Sequence, residues 1–283
     1  MSKKNLYNFI KYAIKEDVGD GDHSSLGSIP RNSINKAELL VKDKGIIAGI
    51  DLAKKIFEYV DTDLSFNQTL KDGDNVKKGD VAFYIEGNST SILTAERLVL
   101  NCMQNMSAIA TKTNFMNSLV DNSKCKILDT RKTTPHNRII EKWAVEIGGG
   151  VNHRFGLYDV IMLKDNHIDF AGGIEKAFLR MKKYLKAKNK KLDIIIEARS
   201  IKEVNDIMKL NGIKRILLDN FDIPTTKKAV KLIGKKIEIE SSGGINEQNL
   251  NDYANCGVDY ISLGCLTHTL KNFDLSLKAI KNK

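Results

Sequence analysis

Proline is scarce in this chain, three residues in 283, and low-complexity linkers are absent. That argues against modules strung on flexible segments. It favours one large domain or two modest ones, with 42% hydrophobic residues to fill a sizeable core. No apolar run approaches the roughly 18 residues that a membrane span needs, so no membrane partner is expected. The first residues, MSKKNLYNFIKYAIKEDVGDGD, lack the long apolar core and cleavage site of a signal peptide. Leu6, Phe9, Ile10, Ala13 and Ile14 recur there at helical spacing and predict an amphipathic helix. The four cysteines, Cys102, Cys125, Cys256 and Cys265, form no CxxC pair and have no zinc-ligand spacing with a histidine. Reduced, packed thiols in a cytoplasmic protein are the expectation.

Acid is in shorter supply than base: 35 Asp and Glu against 45 Lys and Arg, a formal net charge of +10. Such a balance suits nucleic acid, a membrane surface or small acidic substrates. The run RMKKYLKAKNKK, Arg180 to Lys191, has seven cations and no acid. It also lacks the interleaved aromatics and the fold motifs of a nucleic-acid reader, so it reads as a solvated helix face.

Two rhythms organise the chain. LKDGDNVKKGDVAFYIEG, Leu70 to Gly87, reads as turn, short strand, turn, strand, and predicts a small α+β unit. Its turns are like those of biotinyl or lipoyl carrier domains, but the lysine expected in a carrier's tip hairpin is missing. TAERLVLNCMQNMSAIATKT follows, with Thr94 as a candidate N-cap. Ala95, Leu98, Val99, Cys102, Met103, Met106, Ile109 and Ala110 form its apolar stripe; Arg97, Asn101 and Gln104 lie on the other face.

After about Thr111, short apolar runs recur: CKILDTRK, DVIMLKDNH, DIIIEAR, RILLDN, IEIESSGG and YISLGCLTH. Each ends in polar residues or glycine. Between them lie amphipathic segments such as RIIEKWAVEI, where Ile139, Ile140, Trp143, Ala144 and Ile147 make one face. Apolar strands alternating with such helices indicate a parallel sheet buried on both sides. Polar residues at every strand's C-terminal end favour a (β/α) barrel over an open doubly wound sheet.

The strand ends predict an anionic ligand. In LDTRKTTPHNR, Pro135 suits the first helical position and Thr134 the N-cap, so a helix N-terminus would lie beside Arg131 and Lys132. Gly148, Gly149 and Gly150 permit close approach of a ligand or positive φ, and Asn152, His153 and Arg154 follow directly. Lys164 ends the next strand. Cations crowded on one rim repel one another unless anions neutralise them. Glu197, Asp219 and Glu240 occupy other strand ends. They suggest Mg²⁺ shared with substrate phosphates, or sugar hydroxyls; for Glu240 a salt bridge to neighbouring cations is the alternative. Ser242, Gly243, Gly244 and Gly264, after the last two strands, suit a phosphate site. His268 reads as a cap of the following helix.

These residues resemble a known family. DTRKTTPHNRIIEKWAV followed by GGGVNHRFGLYDVIMLKDNHI is similar to the central signature of quinolinate phosphoribosyltransferases. EDVGDGDHSS, AERLVLNCMQNMSAIAT, LLDN, ESSGGI and GVDYISLGCLTHTLKNFDLSL add to the resemblance, which runs in order along nearly the whole chain. It implies an α/β fold: an incomplete (β/α) barrel over residues 111–269 and an N-terminal α/β sandwich-like domain over 1–110, on which residues 270–283 pack. The implied reaction joins quinolinate to phosphoribosyl pyrophosphate with Mg²⁺, giving nicotinate mononucleotide, pyrophosphate and CO₂, a de novo step of NAD synthesis.

Carried over by residue, the resemblance implies that Arg131, His153 and Arg154 hold the quinolinate carboxylates, with Lys132 and Lys164 nearby. Arg97 would reach in from the neighbouring subunit of a dimer. Glu197 and Asp219 would sit near the ribose and metal, and Ser242, Gly243 and Gly264 would receive the 5′-phosphate. Two positions depart from the pattern: His136 where glycine is usual, and Ile195 where a second glutamate is usual. A related branch associated with molybdenum transport shares the fold, but the intact NHR block favours the quinolinate enzyme. A Schiff-base aldolase using Lys164 is the rival enzyme; it has no need of so many other cations. A nucleic-acid binder leaves the ordered rim residues unexplained.

Overall fold

The computed structural model describes residues 3–280. In chain order its elements begin with α1 (Lys3–Val18), α2 (His23–Ser28), β1 (Ile34–Val41), β2 (Gly45–Ile46), α3 (Ile50–Val60), β3 (Ser65–Gln68), β4 (Asn75–Val76), β5 (Val81–Asn88) and α4 (Ser89–Ser118). Then come β6 (Lys126–Leu128), α5 (Arg138–Ile147), β7 (Ile161–Leu163), α6 (Asp165–Ala171), α7 (Ile174–Ala187), β8 (Ile194–Ala198), α8 (Ile201–Met208) and β9 (Arg215–Asp219). The chain closes with α9 (Ile223–Ile233), β10 (Glu238–Ser242), α10 (Leu250–Ala254), β11 (Tyr260–Ser262), α11 (Cys265–His268) and β12 (Leu275–Ala279).

Two compact units result. The first comprises 1–114, 133–149 and 266–283; the second comprises 115–132 and 150–265. Residues 1, 2 and 281–283 lie outside the described structure.

In the first unit an antiparallel sheet runs β12-β1-β5-β3. Period-2 patterning builds it: Ala37, Leu39 and Val41 of β1 are buried while their neighbours are not. Strand β12 pairs with β1 from Ala37↔Ala279 to Val41↔Leu275, so the chain's last strand covers what would otherwise be an edge. Phe57, Phe66 and Phe83 pack as a cluster with ring centroids 4.4–6.2 Å apart. The apolar stripe read in α4 is buried throughout. That helix begins at Ser89, not at Thr94. Asn88 Oδ1 accepts the Ser91 N–H and caps it, and Thr94 lies a turn inside, with its hydroxyl 3.5 Å from Asp22.

Helix α5 spans the expected residues, but its start differs from the expectation. It begins at Arg138 with Asn137 as N-cap, so Pro135 and Thr134 are not its first turn. His136 has φ 65°, a left-handed conformation that no right-handed helix can include. Glutamate at 141 takes over the ordering, because its carboxylate accepts the Thr134 N–H at 3.2 Å. Gly148 ends α5 with no room for a side chain: a Cβ would lie 2.5 Å from the Ala110 carbonyl oxygen. The first glycine of the GGG run therefore serves helix packing.

In the second unit all six expected strands form one parallel sheet in the order β6-β11-β10-β9-β8-β7. Among the described residues β6 and β7 do not pair, so hydrogen bonds do not close the barrel; an isolated bridge from Leu128 to Val151 extends the β6 side. Register fixes the faces. Met162 aligns with Ile195, Glu197 with Leu217, Leu217 with Glu240, and Glu240 with Tyr260. In parallel strands aligned residues share a face. On this face Met162, Ile195 and Leu217 form an apolar plug. The opposite face carries Ile194, Ile196, Ile216, Leu218, Ile239 and Ile261, each at most 2% exposed.

Candidate active site

The plug-bearing face also carries charge. Arg215, at the start of β9, stacks on the Tyr260 ring at 3.7 Å and donates to Glu238 at 3.2 Å and Glu240 at 2.9 Å. Glu240 is fully buried, and its other contact is His153 Nε2 at 3.3 Å. Burial pushes the Glu240 carboxyl upward. Its contacts with His153 and Arg215, together with the Arg215 charge, outweigh that, and the net direction is down. The salt-bridging alternative for Glu240 is thus the one the structure adopts, two residues below the strand end.

His153 is anchored on its other sides as well. Its backbone N–H donates to buried Asp129 Oδ1 at 2.7 Å, and its Nδ1 accepts the Arg154 N–H at 2.6 Å. Arg154 follows, a residue 9% exposed, and its Nη1 donates to the Val160 carbonyl at 3.2 Å. Asp159 gathers the loop after it by accepting the Phe155 and Gly156 N–H groups. Burial and then the charge of Arg131 push the Arg154 guanidinium down, so the two arginines are close enough to repel. Arg131 and Lys132 are exposed.

Across the rim, Lys164 Nζ lies 3.2 Å from Glu197 Oε2, and the Asp165 N–H donates to Oε1 at 3.3 Å. Asp219 Oδ2 accepts from Asn220 Nδ2 at 2.8 Å. Asn220 has φ 54°, and its N–H donates to the Ser242 carbonyl at 2.8 Å. Its side chain fills the space beside Gly243, where a Cβ would fall 2.2 Å from Asn220 Oδ1. Gly243 and Gly244 both have positive φ, so the loop turns its backbone in a way only glycine adopts cheaply. Gly243→Ala is expected to cost about 1–3 kcal/mol, read as a lower thermal midpoint. An unchanged midpoint would contradict the packing described.

The structure therefore places Arg131, Lys164, Glu197, Asp219, Ser242 and Gly243 at or just after the C-terminal ends of strands of one sheet, while His153 and Arg154 follow Val151, whose bridge to Leu128 sets them beside the end of β6. Arg97 is exposed on α4 in the other unit. His268 ends α11 and does not cap its start.

Comparison with known proteins shows the family to which the chain belongs. Residues 22–107 match the family described as quinolinate phosphoribosyl transferase, N-terminal domain, and residues 109–278 match its C-terminal domain. The chain belongs to the quinolinate phosphoribosyltransferase family. It is 43% identical to a nicotinate-nucleotide pyrophosphorylase (carboxylating), chloroplastic, of Arabidopsis thaliana, over 95% of this chain and 81% of that protein. It is 39% identical to a probable nicotinate-nucleotide pyrophosphorylase of Bacillus subtilis, over 98% and 94%. The crystal structure of NadC from Streptococcus pyogenes superposes with a TM-score of 0.91 at 34% identity, covering 99% of each chain.

Both departures from the family pattern now have a physical setting. At position 136 the backbone is left-handed, which is where glycine is favoured; His136 adopts it nonetheless. Ile195 is 4% exposed between Met162 and Leu217 and completes the apolar plug. Arg215 is the residue that sequence reading passed over. The alternation in IEIES puts Glu238 and Glu240 on one face, and the Lys214–Arg215 pair of cations at the start of the neighbouring strand is the signal that could have found it.

Proposed function

We propose that this chain is a decarboxylating quinolinate phosphoribosyltransferase, transferring phosphoribose from phosphoribosyl pyrophosphate to quinolinate in NAD biosynthesis. The observation that supports it most is the order of the strand ends: Arg131 follows β6 and Lys164 follows β7 at the two edges of the sheet, with Glu197 on β8, Asp219 on β9 and the glycine loop Ser242–Gly244 at the end of β10 between them. Arg131 and Arg154 hold the two carboxylates of the pyridine, with His153 beside them and Lys132 and Lys164 within the same cationic zone. Gly243, Gly264 and Ser242 receive the 5′-phosphate through backbone N–H groups and a hydroxyl.

Glu197 and Asp219 face the ribose. As pyrophosphate leaves, positive charge develops on the sugar, and preorganised carboxylates stabilise it. The pyridine nitrogen bonds to the anomeric carbon, a step that is mostly positioning. The ring nitrogen then carries positive charge, so the adjacent carbon–carboxylate bond breaks with its electron pair entering the ring, CO₂ departs and the carbon takes a proton. No protein nucleophile is required. Lys164 has Glu197 as its partner, which favours an ionic role over the aldolase reading.

Among the described residues no three His, Cys, Asp or Glu side chains gather to hold a metal. That fits Mg²⁺ held by one or two carboxylates, Glu197 and Asp219, with substrate phosphates and water completing the shell. When bound, it would neutralise charge on the departing pyrophosphate. Arg97, exposed on α4, is assigned to the neighbouring subunit's site in a homodimer. A cytoplasmic location suits cysteines kept as thiols, of which Cys102 and Cys125 are pushed up to about 12 by burial. No helix among the described residues is long and apolar enough to cross a membrane.

The test is turnover of quinolinate with phosphoribosyl pyrophosphate, followed as nicotinate mononucleotide, with Mg²⁺ and again after chelation. Activity with Mg²⁺ and its loss with chelator are expected. Full activity in chelator would remove the metal from the account.

A further inference from the structure

His153 stands next to the arginine that the proposed reading assigns to the substrate, and its own position is unlike an open ligand-binding histidine. Its side chain is 6% exposed. Nδ1 accepts the Arg154 backbone N–H, and Nε2 faces Glu240 at 3.3 Å. A ring whose Nδ1 accepts carries its proton on Nε2, which is the nitrogen pointed at the buried carboxylate. The backbone of the same residue is tied to Asp129, which is 0% exposed. Every one of these contacts lies within the protein.

We infer that His153 is a positioning residue: Glu240, itself gripped by Arg215, fixes the imidazole, and the imidazole fixes the backbone of Arg154, so that His153 does not itself touch the dicarboxylate. This rests on the reading of Arg154 as a carboxylate ligand and changes the role that family resemblance implies for its neighbour. Three observations bear on it independently. Glu240 has no exposure and so no route to substrate. Arg215 enters from the start of β9, far along the strand from the rim, and is held from below by the Tyr260 ring and Glu238. The Arg154 side chain makes one internal bond, to Val160, which leaves its backbone tether to His153 as the second constraint on where its guanidinium points. Supporting groups of this kind fix a ligand-binding side chain within the tolerance that recognition needs.

Two measurements test it. The first uses the wild-type protein with ¹⁵N-labelled histidine. The five histidines of the chain can be assigned by comparison with a His153→Ala variant. The ring of His153 is expected as the Nε2–H tautomer, and that pattern should persist when quinolinate saturates the protein. An Nδ1–H ring, or a ring that gains or moves its proton on adding quinolinate, would overturn the inference, whether or not the enzyme turns over.

The second is a kinetic cycle of Glu240→Gln, His153→Ala and the double variant. Each single change is expected to raise KM for quinolinate on the order of tenfold or more, with KM for phosphoribosyl pyrophosphate little changed. The double variant should be no worse than His153→Ala, because both act along one chain of contacts. A folded Glu240→Gln enzyme with normal KM for quinolinate, beside a damaged His153→Ala enzyme, would show that His153 acts directly. An inactive wild type that still shows the Nε2–H ring would instead sink the proposed function and leave the positioning contact standing.

Discussion

Replacing Arg154 by alanine is expected to raise KM for quinolinate about 100-fold or more and to leave KM for phosphoribosyl pyrophosphate within a small factor of wild type. Arg154 is nearly buried, and burial and Arg131 both press against its charge. A cation held at that cost, beside a second cation, gains most from an anion placed against it, as the proposed reading requires. Truncating one partner of a desolvated charge pair costs about 2–5 kcal/mol, most of it from the charge left behind on the ligand. The split between the two substrates is what makes the result specific to the carboxylate pocket. A uniform fall in kcat with both KM values unchanged would move Arg154 out of ground-state binding. Normal kinetics with quinolinate would remove it from the pocket altogether.

Glu240→Ala is expected to be the most damaging single change to stability outside the hydrophobic core. The carboxylate, with no exposure of its own, joins Arg215 and His153, whose side chains are 12% and 6% exposed. Deleting one member of a buried ionic group costs about 3–5 kcal/mol, which corresponds to a fall in thermal midpoint on the order of 10 °C for a protein of this size. The pH dependence has a definite sign. The folded-state pKa of Glu240 lies below its ordinary value of 4.5. Its contribution is therefore present above that value and is lost as pH falls through the lower folded value. Wild type and variant should differ by a constant margin from neutral pH down to about pH 5 and converge only in more acid solution. A margin that narrows between pH 8 and pH 6 would point to another group.

The barrel was legible because its strands are buried on both faces and so read as unbroken apolar runs. All six appear where CKIL, DVIML, DIII, RILL, IEIE and YISL placed them. Helix α5 was legible from its stripe, but its polar side was not what amphipathicity suggests, since Glu141 and Lys142 are buried too. Helix starts were the least legible. Thr94 and Thr134 are good caps by residue type, but the helices start elsewhere, at Asn88, six residues earlier, and at Asn137, three residues later. The choice depended on backbone direction, and at His136 on a left-handed residue that sequence alone does not announce.

For the site, the candidate residues stand in order along the chain, and the place of most of them at strand ends was legible from that order. Depth did not. Whether Glu240 belongs to the rim or to the interior turns on cross-strand register with Arg215, a long-range fact absent from any local window. The GGG run divides in the same way. Gly149, with φ 87°, meets the expected need for positive φ, while Gly148 is required by the approach of α4.

The most direct measurement supplies quinolinate and nicotinate in parallel, each with phosphoribosyl pyrophosphate and Mg²⁺, and counts nicotinate mononucleotide and CO₂ together. The account predicts turnover of quinolinate, equal amounts of the two products, and no turnover of nicotinate, whose single carboxylate leaves part of the cationic rim unpaired. Product from nicotinate at a comparable rate, or mononucleotide formed without CO₂, would contradict it.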